Sequence, residues 1–113
     1  MPNTIKVALL GLGTVGRGVY RLLTANAYSI AQKVGAAVEI ARILVRDPGK
    51  DRGVAVEPSL LTTSYGDILE DPEISIVVEV MGGIRPALDY VMAALERGKS
   101  VVTANKDLIA AHG

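Results

Sequence analysis

Short aliphatic runs alternate with longer amphipathic stretches along most of the chain. Continuous apolar runs predict strands that are covered on both faces, as in parallel sheets, and apolar residues at helical spacing predict the helices that connect them. Strands that alternate with helices indicate an α/β domain with a doubly wound parallel sheet. We expect five strands, at residues 5–10, 38–45, 60–63, 75–80 and 100–103.

Glycine and proline mark the ends of the predicted helices. The first helix follows a glycine-rich turn and runs to Gly35, a plausible C-terminal cap, with a bend expected near Asn26. A second helix is expected to begin near Pro86, because proline suits the first turn, and to close at Gly98. The apolar stripe predicted for that second helix comprises Ala87, Tyr90, Val91, Ala94 and Leu95.

The length of 113 residues suffices for one hydrophobic core and is too small for a cofactor domain together with a substrate domain. We therefore interpret residues 1–113 as a single domain whose sheet order is 3-2-1-4-5. Residues 108–113 resemble the start of a helix that has been cut short. We expect the chain to be a fragment of a longer protein.

Composition narrows the possible functions. Apolar residues make up 50% of the chain and its mean hydropathy is +0.35, but no apolar run approaches the roughly 20 residues that cross a bilayer. Twelve basic residues balance twelve acidic ones without a basic stripe, so we expect no nucleic-acid partner and no membrane association. The absence of cysteine excludes disulfides, thiolate nucleophiles and cysteine-based metal sites, and a cytoplasmic location is the default expectation.

The turn after the first strand carries the strongest chemical signal. Glycine occupies positions 11, 13 and 16 in the run Gly11-Leu12-Gly13-Thr14-Val15-Gly16, between a buried strand and an apolar-faced helix. In a Rossmann-type fold the first glycine permits the turn, the second lets backbone approach a pyrophosphate, and the third allows close packing. We expect a dinucleotide site here. Gly18 is also expected to let the helix lie close to the strand.

The end of the second strand bears on the choice between NAD and NADP. Asp47 could accept hydrogen bonds from the ribose 2′-hydroxyl of NAD, or it could only initiate the turn at Pro48. Arg46 could stack on adenine or pair with the 2′-phosphate of NADP, and Lys50 and Arg52 add positive charge nearby. The alternative is a solvated basic loop. We favour NADP over NAD slightly.

Two further positions carry charge where it needs an explanation. Glu79 stands in an apolar run, so its carboxylate either serves the nicotinamide ribose or substrate, or bonds backbone amides of a neighbouring loop. Lys106 follows the fifth strand at the start of a helix, where the helix dipole disfavours a cation, so a substrate carboxylate or cofactor oxygen is expected to hold it. Gly82 and Gly83 would allow a flat ring to approach the backbone.

Three segments together resemble the amino-terminal domain of homoserine dehydrogenase. They are Gly11–Gly16, the segment Val78-Glu79-Val80-Met81-Gly82-Gly83 and the segment Val101-Val102-Thr103-Ala104-Asn105-Lys106. The glycine motif is common to many oxidoreductases, whereas the Glu-x-x-Gly-Gly turn combined with Thr-Ala-Asn-Lys is far more specific. The resemblance covers nearly the whole chain.

The resemblance implies an activity and a set of site residues. The family interconverts homoserine and aspartate 4-semialdehyde with NAD or NADP, in threonine and methionine biosynthesis. By this resemblance Leu12, Gly13, Thr14 and Val15 would line the pyrophosphate, Arg46 the adenosine end and Met81–Gly83 the nicotinamide side. Lys106 would be a catalytic residue that reaches cofactor and substrate. The substrate-binding residues and the dimer interface belong to a separate catalytic domain, so the full-length enzyme is expected to be a homo-oligomer.

Two alternatives remain open at the level of sequence. One is a non-catalytic Rossmann module that senses a dinucleotide and regulates a partner, and the other is a different amino-acid or aldehyde dehydrogenase of the same fold. Hydride transfer needs a positioned base as well as a held cofactor. We therefore expect the isolated chain to bind cofactor without turning over homoserine.

Overall fold

Five parallel strands form one sheet in the order β3-β2-β1-β4-β5 within the residues that the structure describes. The structure is a computed structural model, and it describes residues 4–47, 49, 56–81 and 87–103. The predicted α/β class and the predicted sheet order are confirmed. The strands are β1 (Thr4–Leu10), β2 (Ala37–Leu44), β3 (Leu61–Thr62), β4 (Ile74–Glu79) and β5 (Ser100–Thr103).

Helices connect the strands and flank the sheet. They are α1 (Thr14–Ala25), α2 (Ala27–Val34), α3 (Gly66–Leu69) and α4 (Ala87–Glu96), and a single 3-10 turn, Pro58–Leu60, precedes β3. The long first helix predicted from the sequence is divided into α1 and α2 at Asn26. No helix in the described ranges combines the length and the apolar character that a membrane span requires.

Asn26 divides the first helical stretch because it serves both helices as a cap. Its backbone N–H and its side-chain Nδ2 both donate to the carbonyl oxygen of Leu22, each at 3.1 Å. Its φ of −111° and ψ of 22° lie outside the helical region, so the hydrogen-bond ladder restarts after it. Gly35 then ends α2 with a φ of 81°, as the sequence predicted.

The core lies on both faces of the sheet, because alternate residues of each central strand point to opposite sides. On one face Leu10 and Val77 pack with Ile68 of α3 and Ala94 of α4. On the other face a second cluster of buried and partly buried residues lies under α1: Leu9, Leu12, Ile40, Ile43, Val45, Val19 and Leu23. Each buried aliphatic side chain contributes roughly 1.5–3 kcal/mol to the free energy of unfolding. Leu95 is 50% exposed, so its predicted place in the buried stripe of α4 is wrong.

Two lysines are held by hydrogen bonds at the amino edge of the sheet, the edge at which the parallel strands begin. The buried ammonium of Lys99 donates to the carbonyl oxygens of Asp71 and Ile74, both at 2.7 Å. Lys6 at the same edge pairs with Glu73 at 2.7 Å, and the hydrogen bond that Lys6 donates to this carboxylate raises the pKa of Lys6. These contacts connect the start of β4 to the starts of β1 and β5.

A pair of tyrosines joins α3 to α4. The hydroxyl of Tyr65 donates to the carbonyl oxygen of Tyr90 at 2.6 Å, and the two ring centroids lie 4.3 Å apart. Burial, with a smaller contribution from Tyr90, raises the pKa of Tyr65 to about 12. The hydroxyl therefore remains a donor throughout the physiological pH range, and the contact holds the two helices on the same face of the sheet.

Candidate functional site

The carboxyl ends of four strands lie at the same level of the sheet. Leu10 of β1 is in register with Leu44 of β2 and with Glu79 of β4, and Glu79 is in register with Thr103 of β5. The chain winds from β1 outward through β2 and β3 and then crosses to β4 on the other side of β1. In open α/β sheets the crevice at such a reversal, outside the carboxyl ends, is where ligands bind.

Two glycines, Gly11 and Gly16, pack closely against each other in the turn after β1. Gly11 has a φ of 104°, in the left-handed region, and its N–H donates to the carbonyl oxygen of Leu44 at 2.9 Å. A Cβ on Gly16 would lie 2.5 Å from the carbonyl oxygen of Gly11 and 3.2 Å from the Val80 side chain. The first turn of α1 therefore passes against the turn itself and against the end of β4.

Gly13 is different, because nothing in its own surroundings requires a glycine. Its φ of −79° suits any residue, and a Cβ built on it would meet no atom of the described chain within 4 Å. Gly13 is also the N-cap of α1, and it offers no side-chain oxygen to the first amides of the helix. Open space beside a glycine-capped helix N-terminus fits an anion such as a pyrophosphate.

Three other residues predicted for the turn occupy distinct places. Leu12 is 5% exposed and its side chain belongs to the core cluster under α1, so only its backbone could contribute to the crevice. Thr14 and Val15 begin α1, where their amides precede the first intrahelical bond, from the Arg17 amide to the Gly13 carbonyl oxygen at 2.8 Å. The side chain of Val15 is 52% exposed.

Arg17 is a residue that our sequence analysis did not single out. Its Nε donates to the carbonyl oxygen of Gly13 at 3.2 Å, so the side chain folds back along the first turn of α1 towards the glycine turn. The helix dipole disfavours a cation there by about 0.3–1 kcal/mol. The same argument drew attention to Lys106 and could have identified Arg17, which directly follows the glycine motif.

Arg46 and Asp47 follow the end of β2, whose last residue, Leu44, accepts a hydrogen bond from the Gly11 amide. Arg46 lies two residues beyond β2 and its side chain is exposed. Oδ1 of Asp47 accepts a hydrogen bond from the Gly49 amide at 3.0 Å, which is the turn-initiating role that the sequence offered as one of two interpretations. Lys50 and Arg52 lie outside the described residues.

Glu79 is fully buried at the end of β4 and bonds two neighbouring segments. Its Oε2 accepts from the Met81 amide at 2.7 Å, and its Oε1 accepts from the Thr103 hydroxyl at 2.6 Å. This arrangement agrees with the structural interpretation of Glu79, in which it bonds a loop amide. Met81 is half-buried against the core beside α4. The predicted site residues Gly82, Gly83 and Lys106 lie outside the described residues.

Comparison with known proteins identifies the family of this chain. A family model described as the NAD binding domain of homoserine dehydrogenase matches residues 11–113. The chain belongs to this family. As a homoserine dehydrogenase NAD-binding domain, it has its glycine turn at the start of the matched region.

Individual relatives cover nearly all of this chain and a small part of their own length. The homoserine dehydrogenase of Bacillus subtilis is 43% identical over 111 residues, which make up 98% of this chain and 26% of that protein. The homoserine dehydrogenase of Corynebacterium glutamicum is 48% identical over 97% of this chain. A crystal structure of S. aureus homoserine dehydrogenase matches with a TM-score of 0.90 at 44% identity, over 97% of this chain and 28% of that one. The NAD-binding domain described here thus spans about a quarter of the length of its relatives.

Gly18 corrects one expectation about the packing of α1. A Cβ on Gly18 would meet no atom of the described chain within 4 Å, and the residue is exposed. The prediction that Gly18 lets α1 approach the strand is therefore wrong. The close approach in this turn belongs to Gly16.

This contrast makes a matched pair of substitutions. Gly16→Ala should lower the free energy of unfolding by about 3 kcal/mol, at the upper end of the usual cost of overpacking, because its Cβ would overlap the Gly11 carbonyl oxygen, a backbone atom. Gly18→Ala should raise the free energy of unfolding by roughly 0.5–1 kcal/mol, because alanine is the better residue inside a helix. Urea denaturation followed by circular dichroism measures both. Equal stability of the two variants would contradict the described turn.

Proposed function

We propose that the chain binds a nicotinamide dinucleotide across the carboxyl edge of the sheet, with the pyrophosphate at the N-terminus of α1. The observation that carries the proposal is the open space at Gly13, beside a helix end that has no side-chain cap. A glycine kept where the fold itself leaves room for a side chain is explained by a ligand that needs the room. Family membership supports the same site.

Each part of the crevice would hold a different part of the cofactor. The amides of Thr14, Val15 and Gly16 would donate to the pyrophosphate, and the dipole of α1 would favour its negative charge. Arg46 would lie at the adenosine end, beyond β2, and Met81 with Gly82 and Gly83 at the nicotinamide end, beyond β4. When bound, the cofactor supplies hydride acceptance and donation at its nicotinamide ring. The domain's own part is to hold and orient it.

In the whole protein we infer the reaction that the relatives are named for, the oxidation of homoserine, with Lys106 near cofactor and substrate. Support comes from relatives at 43–48% identity that carry this name. The expected homo-oligomer, the cytoplasmic location and the inability of the isolated chain to turn over homoserine remain predictions of the same proposal.

The proposal is tested at Gly13. Gly13→Ala should weaken NADPH binding at least about tenfold, because its Cβ would occupy the space proposed for the pyrophosphate. The free energy of unfolding should change by no more than about 1 kcal/mol, since the backbone conformation suits alanine. Titration monitored by the nicotinamide fluorescence of NADPH measures the affinity.

Gly18→Ala is the control for this experiment, because it makes the same chemical change at another open position of α1. It should leave the affinity for NADPH unchanged. An unaltered affinity of Gly13→Ala for NADPH would refute the proposed placement of the pyrophosphate.

We further propose that NADP is preferred over NAD, through Arg46. The exposed guanidinium of Arg46 follows β2 at the position where a ribose 2′-phosphate is expected. Asp47, the acidic alternative for NAD, already uses Oδ1 to hold the Gly49 amide. This contact makes Asp47 a turn residue and favours Arg46 as the group that discriminates the two cofactors.

Arg46→Ala should therefore lower the ratio of NADPH affinity to NADH affinity by roughly fivefold to tenfold, because it removes one charge-assisted contact at an exposed site. Both affinities should be measured at one ionic strength. Arg97→Ala is the matched control, because it removes the same charge at the opposite edge of the sheet, where Arg97 pairs with Glu70. An unchanged ratio in Arg46→Ala would exclude 2′-phosphate pairing.

A further inference from the structure

Glu79 and Thr103 form a polar link between the ends of two strands. The carboxylate of Glu79, fully buried, accepts from the Met81 amide at 2.7 Å and from the Thr103 hydroxyl at 2.6 Å. Glu79 and Thr103 are in-register partners on β4 and β5, and they are the last residues of their strands. The Glu79 side chain therefore contacts both the residue two positions after it, at the exit from β4, and the last residue of β5.

A carboxylate in this position is costly unless donors satisfy it. Glu79 follows Ile76, Val77 and Val78 in an aliphatic strand, and the burial of an unpaired charge there would be strongly destabilising. The β4–β5 ladder already pairs the two strands without any help from these side chains. The hydrogen bonds of Glu79 therefore add a constraint that the β4–β5 ladder does not supply. They fix Met81, just after β4, relative to Thr103, the last residue of β5.

The constrained segments border the nicotinamide half of the proposed crevice. Met81 begins the connection from β4 to α4, and Thr103 immediately precedes the segment that contains Lys106. The adenosine half lies on the other side of β1, where β2 ends at Leu44. Loss of the Glu79–Thr103 hydrogen bond should therefore weaken the binding of the nicotinamide ring and leave the binding of the adenosine moiety almost unchanged.

We propose that Glu79 is a positioning residue, which holds the exits of β4 and β5 in a fixed relation through Met81 and Thr103 and so shapes the binding site of the nicotinamide ring. This inference rests on the proposed dinucleotide site and assigns different roles to two parts of it. The glycine turn binds the pyrophosphate, whereas the Glu79 link sets the opening for the reactive end of the cofactor.

The test removes the link at Thr103 and compares two ligands in the complete polypeptide. Thr103→Val keeps the shape of the side chain and deletes the hydroxyl, whereas Thr103→Ser keeps the hydroxyl. The ligands are NADPH and 2′-phospho-ADP-ribose, which lacks the nicotinamide ring. Affinities are measured by calorimetry, and the emission maximum of bound NADPH reports the surroundings of the ring.

Thr103→Val should weaken NADPH binding about fivefold or shift the emission of the bound ring towards that of free NADPH, and should leave the affinity for 2′-phospho-ADP-ribose within about twofold. Thr103→Ser should restore both properties. Val77→Ala is the control for stability, because Val77 is a fully buried residue of the same strand that belongs to the apolar core. It should lower the midpoint of urea denaturation without altering the ratio of the two affinities.

Two results would overturn the positioning role: an equal loss of affinity for both ligands in Thr103→Val, or unchanged affinity and unchanged emission. Failure of the unmodified protein to bind either ligand would instead overturn the proposed dinucleotide site, and the positioning role with it. The two failures are therefore distinguishable.

Discussion

The contact between Gly16 and the carbonyl oxygen of Gly11 is the constraint on which the rest of the site depends. The chain must leave a buried strand, reverse and begin a helix within three residues, and a single Cβ at Gly16 would approach that oxygen to 2.5 Å. Because this turn is so tight, the N-terminus of α1 lies at the carboxyl end of the central strand, β1. The first amides of the helix, which have no side-chain cap, therefore follow the carboxyl end of β1, where the winding of the sheet reverses.

The two edges of the sheet are used differently. At the amino edge Lys99 and Lys6 donate hydrogen bonds to carbonyl and carboxylate oxygens at and just before the start of β4. These two lysines therefore stabilise the fold. At the carboxyl edge the buried carboxylate of Glu79 connects β4 with β5, and the Arg17 side chain bonds the glycine turn at the Gly13 carbonyl oxygen. Positive charge at this edge would favour the anionic cofactor that we propose.

The architecture was predictable from the sequence because it depends on local patterns. Aliphatic runs and glycine positions located the ends of each strand to within one residue, and the alternation of strands with helices limited the sheet to a doubly wound order. The division at Asn26 was predicted only as a bend, since the sequence does not show that the backbone and the side chain of Asn26 both donate to the Leu22 carbonyl oxygen. The exposure of Leu95 was missed because helical spacing alone does not fix the width of the buried stripe.

The site was less predictable, because its contacts join residues that are distant in sequence. The Glu79–Thr103 hydrogen bond depends on the register of β4 against β5, which the sequence does not reveal. Gly16 and Gly18 were both predicted from the sequence to let α1 pack closely. Only the fold shows that a Cβ on Gly16 would meet the Gly11 carbonyl oxygen, whereas Gly18 lies on the exposed surface of α1.

The most direct measurement of the central claim is a titration of the isotope-labelled protein with NADPH, followed by the backbone amide resonances. If the N-terminus of α1 binds the pyrophosphate, the amides of Thr14, Val15 and Gly16 will show the largest chemical-shift changes, because they lie next to the added negative charge. Largest changes at the amino edge, at Ser75 and Ser100 for example, with the first turn of α1 unaffected, would contradict the account.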